Sequence, residues 1–138
     1  MSKILLLLIV VLLLQTSISA EVKFAGQNEN QQERTIQSLL LGINSDNFGL
    51  RTSAANMLGE LKCEKAVIPL MRMLKSEDRE SARIVAALAL LKIGNEKGIF
   101  AIKQAIRFDD SKRVRRLCAN FYNEYLQKST AVDFLANR

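Results

Sequence analysis

Apolar residues recur along the middle of the chain at helical spacing. Ile36, Leu39, Leu40 and Ile43 fall at i, i+3, i+4 and i+7, and Val67, Leu70, Met71 and Leu74 do the same. Ile99, Ile102 and Ile106 repeat the pattern less completely. This period places each set on one face of an α-helix. Between the sets lie second helical stretches at roughly 47–61, 79–93 and 111–127, each preceded by an aspartate: Asp46, Asp78 or Asp110. A short carboxylate accepts hydrogen bonds from the free N–H groups of a helix start and complements its dipole, so these three aspartates are the predicted N-caps.

Sliding the chain over itself by 32 residues aligns Arg51 with Arg83 and Arg115, Ala55 with Ala87 and Ala119, and Asp46 with Asp78 and Asp110, without a gap from Asp46 to Glu124. The same shift lays AVIPLMRML (66–74) on GIFAIKQAI (98–106), and a shift of 31 lays TIQSLLLGI (35–43) on AVIPLMRML. The chain therefore contains three copies of a two-helix unit, and an all-α fold without strands is expected.

The segments SDNFGLRTSAANMLG (45–59), EDRESARIVAALALLKIG (77–94) and DDSKRVRRLCANFYNEY (109–125) share an acidic turn followed by Arg, paired small residues and an apolar position. In this the chain resembles the HEAT repeat family in its short bacterial form, with Pro69 at the family's first-helix proline. The resemblance covers nearly all of 33–127. It departs in lacking that proline in the first and third units, and in placing Tyr122 where Leu58 and Leu90 stand. It implies an α-α superhelix, a short right-handed solenoid of about three helical hairpins, acting as a binding module. Such stacks serve many partners, so the fold does not name one.

Small side chains let helices approach closely, so Ala54/Ala55 and Ala86/Ala87 mark the seam between helices. On the opposite face of the second helices, in register, stand Thr52, Asn56 and Glu60, then Ile84, Leu88 and Lys92, then Arg116, Asn120 and Glu124. The middle helix is apolar nearly all round, which demands a cover for Ile84 and Leu88. A partner protein, a second copy of the chain, the chain's own tail (Val132, Phe134, Leu135) or the neighbouring helices can supply it. With a partner, Ile84 and Leu88 form the centre of the contact and Asn56, Arg116 and Asn120 its rim. Phe121, Tyr122 and Tyr125 cluster on the last second helix, where they cap a terminal repeat.

The chain begins with Lys3, an uninterrupted apolar run from Ile4 to Leu14 and small or polar residues up to Ala20. This layout is that of a secretory signal peptide (1–20), and eleven apolar residues fall short of the roughly 20 that span a bilayer. The expectation is export to the periplasm or medium, with no membrane span after removal of the signal. A polar lead (21–32) precedes the repeat domain (33–127), and residues 128–138 form a tail or cap. The formal charge is +6, and its excess is uneven: residues 21–96 hold ten basic and ten acidic side chains, residues 97–138 nine and four. Lys112, Arg113 and Arg116 within KRVRR raise a second binding mode, toward a polyanion such as an anionic lipid, an envelope polymer or a nucleic acid.

Catalytic chemistry has little to draw on. The chain has no histidine, which removes the usual general base and the commonest metal ligand, and no Gly-rich phosphate loop or nucleophile elbow occurs. The pairs Glu77–Asp78 and Asp109–Asp110 are repeated turn residues rather than a catalytic dyad. Cys63 and Cys118 lie nearly two repeats apart and are expected as free thiols, with Cys118 in a core alanine's place and Cys63 as the reactive one. The expected function is that of a non-enzymatic interaction or scaffold protein without cofactors.

Overall fold

A computed structural model of the protein describes residues 30–136, with side chains as far as Val132. The expected signal segment, most of the polar lead, and the side chains of Phe134 and Leu135 lie outside the described residues. Six helices and no strand occur among the described residues. They are α1 (30–42), α2 (Phe48–Glu60), α3 (Val67–Ser76), α4 (Glu80–Ile93), α5 (Glu96–Phe108) and α6 (Lys112–Ala136), with a 3-10 turn, Glu64–Ala66, leading into α3.

The chain divides into two compact units, 1–37 and 38–138. Of the first, residues 30–37 are described as helix, with Thr35 Oγ1 donating to the Gln31 carbonyl at 2.9 Å and Gln37 Nε2 to Glu33 at 3.4 Å. The second holds the remaining turn of α1 and the other five helices, packed as antiparallel hairpins. Its core is built from the apolar stripes: Leu58, Leu70, Leu90, Ile102 and Val114 are fully buried, each stabilising the fold by about 1.5–3 kcal/mol. The central element is α4, which packs against α2, α3, α5 and α6.

The alanine seam is closed. Ala54, Ala55, Ala86 and Ala87 are buried, and Cys118, in register with Ala54 and Ala86, is buried with them. A close approach lies between α2 and α4, where a Cβ on Gly59 would stand 2.7 Å from the Ala89 Cα. Only glycine permits that distance.

Two left-handed residues end the second helices. Lys62 (φ 49°) follows α2 and Gly94 (φ 73°) follows α4, again 32 residues apart. A residue in this conformation turns the chain out of the helix while its own N–H reaches back to one of the last carbonyls, as Gly94 N does to Leu90 O at 3.0 Å. The third such place belongs to Leu126, whose branched side chain disfavours positive φ. Leu126 is helical, and α6 continues past the expected boundary at 127 to Ala136.

The N-caps differ from expectation by one residue. Asn47, not Asp46, caps α2 by accepting from Leu50 N. Ser111, not Asp110, accepts from the N–H groups of Arg113 and Val114 at the start of α6. The corresponding place before α4 is Arg79, which has no acceptor oxygen, so that helix starts without a side-chain cap rather than on Asp78. The helices begin one residue later than the acidic pattern suggests, and of the three aspartates Asp110 accepts from Arg83 instead of capping.

Candidate protein-binding face

The cross-links form a ladder. Arg51 Nε and Nη2 donate to the two carboxylate oxygens of Glu77 at 2.5 and 3.1 Å, while its Nη1 donates to the carbonyl of Ser45 at 2.7 Å. Hydrogen bonding to Glu77 holds the Arg51 guanidinium above its ordinary pKa. One repeat later, Arg83 Nε and Nη2 donate to Asp109 at 3.0 Å each, Nη2 also to Asp110 at 2.8 Å, and Nη1 to the carbonyls of Glu77 and Asp78. Each arginine thus clamps its own turn and binds the acid of the next turn, 26 residues on. Bidentate pairs of this kind fix geometry as well as adding energy. Phe48 adds a second tie between turns, with the Arg79 guanidinium 4.4 Å from its ring centroid.

The ladder leaves the opposite faces of α2, α4 and α6 available. On α4, Ile84 and Leu88 are half-buried, because the flanking helices cover part of each side chain. Asn56 is exposed on α2, and its Oδ1 accepts from Lys92 Nζ at 3.1 Å; the same ammonium pairs with Glu60 at 2.6 Å. Arg116 and Asn120 are exposed one turn apart on α6. The repeat register therefore puts all five predicted residues at equivalent places on the second helices of three successive repeats. The Asn56–Lys92–Glu60 bridge, tying two of those helices at one end, is visible only once α2 and α4 lie side by side. Lys112 and Arg113 are also exposed, at the first turn of α6.

On the side of the first helices a groove of about 540 Å³ opens between α3 and α5, lined by Met71, Leu74, Phe100, Gln104 and Phe108. Phe100 and Phe108 are largely exposed there, a feature the weak apolar stripe of α5 did not announce.

A family model for HEAT repeats matches residues 36–121, more than half of the chain. The protein belongs to the HEAT-repeat family. HEAT repeats are generally protein-interaction scaffolds, and the family assigns this chain that coarse role. Among curated proteins none matches the HEAT-repeat chain significantly.

Other chemistry in this HEAT-repeat protein is sparse. Among the described residues, no three His, Cys, Asp or Glu side chains come together as a metal set, and no helix is long and apolar enough to cross a membrane. Both cysteines are free and buried. Burial foremost, then the nearby Asp109 charge, pushes the Cys118 thiol up to about 12. Cys63, expected as the reactive thiol, is only 7% exposed, because the turn after α2 folds it inward.

Proposed function

We propose that the protein is an exported, non-catalytic scaffold that binds another protein through the α2–α4–α6 face. Ile84 and Leu88 form the centre of that contact, and Asn56, Arg116 and Asn120 form its rim. One observation carries this reading: the central helix keeps two large aliphatic side chains, only partly covered by the flanking helices, at positions where the helices beside it carry polar residues. Apolar centres ringed by polar side chains are the usual anatomy of a protein interface. Export rests on the amino-terminal sequence pattern, and the non-catalytic role on the lack of histidine together with the family.

The exposed cluster of Lys112, Arg113 and Arg116 favours a second reading, in which the start of α6 binds a polyanion. Salt separates the two. Polyanion contacts weaken steeply with ionic strength, whereas an aliphatic interface is nearly indifferent to it. The test is a pull-down from envelope extract at low and high salt with the wild-type protein and the Ile84→Ser/Leu88→Ser double variant. Capture that survives high salt and is lost in a stably folded double variant supports the protein-binding face. Capture lost with salt but retained by the double variant supports the polyanion, and a double variant that loses several kcal/mol of stability makes the two residues core instead.

A further inference from the structure

The third arginine of the ladder is held like the other two but meets no acid of a following turn among the described residues. Arg115 Nη1 donates to the carbonyls of Asp109 and Asp110 at 2.5 and 3.0 Å, the same clamp on its own turn that Arg51 and Arg83 make. Its Nε and Nη2, which in Arg51 and Arg83 grip the carboxylate of the following turn, meet no carboxylate among the described residues. The side chain is partly exposed. The carboxylates of Asp109 and Asp110 are both engaged by Arg83. Nor does the described chain turn back to supply a further acid, since Leu126 replaces the left-handed stops of Lys62 and Gly94 and α6 runs on.

We propose that Arg115 is a docking point for an aspartate or glutamate in the interhelical turn of a helical hairpin supplied by a different protein. The class of occupant follows from the two filled rungs. Glu77 is the C-cap of α3 and Asp109 the C-cap of α5, so each arginine receives its carboxylate from the turn that closes a hairpin. A stacked hairpin continues the interface that already joins the repeats. The exposed Lys112, Arg113 and Arg116, on the same helical turns as Arg115, favour an acidic turn over a neutral one.

A second copy of the chain is the wrong occupant. In register with Glu77 and Asp109, the acids that pair with both Nε and Nη2 of an arginine, its own first turn carries Ser45, whose hydroxyl accepts from Asn47 N at 3.1 Å and cannot match a guanidinium fork; Asp46, in register with Asp110, offers at most the single Nη2 bond that Asp110 makes with Arg83. This same substitution provides the probe. Asp109 Oδ1 accepts from Ser111 N at 2.9 Å, so an aspartate at position 45 can keep the turn's own hydrogen bond while presenting the missing carboxylate.

The experiment immobilises the full-length wild-type protein and passes over it wild-type protein or the Ser45→Asp variant as the acidic-turn probe. The expected result is that Ser45→Asp binds at least about tenfold more tightly than wild type binds itself, in line with a charge-assisted pair. That gain should disappear on an immobilised Arg115→Lys variant, and the Arg115 Nε–H resonance of labelled wild-type protein should shift when the probe is added. The resonance decides the matter if the Arg115 variant fails to fold. No gain in binding, or a gain with the resonance unmoved, overturns the proposal. Wild-type self-association that depends on Arg115 overturns the choice of a foreign partner. Any of these failures leaves the Ile84–Leu88 face standing, because that face is tested by a different variant.

Discussion

Arg83 and Asp109 meet through two parallel hydrogen bonds of 3.0 Å, with 8% and 7% of their side chains exposed. A charge pair so far out of water is strong only while both members are present. Replacing one alone strands the other, at a cost of about 3–5 kcal/mol, whereas replacing both with apolar residues of similar volume is often neutral. Arg83→Met should therefore lower stability to urea by about that amount. Arg83→Met combined with Asp109→Leu should recover much of it, the remaining loss reporting the carbonyls that Arg83 clamps.

Two glycines of α2 yield predictions of opposite sign. At Gly59 a methyl group would press on the Ala89 backbone, and Gly59→Ala should destabilise by about 1–3 kcal/mol. Gly49, in the first turn of α2, has only ordinary contact with Asn47, so Gly49→Ala should stabilise by about 0.5–1 kcal/mol through the helix preference of alanine. Thermal or urea unfolding of the two variants measures both.

Cys118 sets a dependence on pH. Its folded value of about 12 lies above that of an unfolded cysteine, about 8.5, so the buried thiol contributes stability that is fully present below the unfolded value. Between these two values the unfolded chain has lost a proton that the folded protein keeps. Stability should fall as pH rises through this window, by up to about 1.4 kcal/mol per pH unit from this group. Cys118→Ala removes the contribution, so the gap between wild type and variant should narrow from pH 8 to pH 10 in urea titrations. Native Cys118 should also resist alkylation at pH 8.

The helices and their pairing are legible in the sequence because a 32-residue register writes the same core face three times, as in Leu58 and Leu90. The acids that cross-link the turns are not. Glu77 and Asp109 stand 26 residues from their arginines, and nothing local marks them as the two-oxygen partners over the neighbouring Asp78 and Asp110 until the hairpins stack. The caps moved by one residue for a related reason, since which oxygen reaches the free N–H groups depends on backbone dihedrals and not on residue type alone. Of the predicted face, the contrast between Ile84 or Leu88 and the polar residues beside them is a matter of sequence. How far each is covered depends on the helix separation that Ala86, Ala87 and Gly59 set.

Because α4 shares its surface with four other helices, it is the element through which the hairpins sense one another. Opening α2 or the α5–α6 hairpin exposes only one side of it, whereas opening α4 undoes the packing of the second unit. Amide exchange should accordingly be slowest at Ala86–Leu90 and grow faster outward in both directions. A change in the middle hairpin would be felt throughout the second unit, while α2 and α5–α6 remain the parts of it in which new surface chemistry can be tried without unfolding the rest.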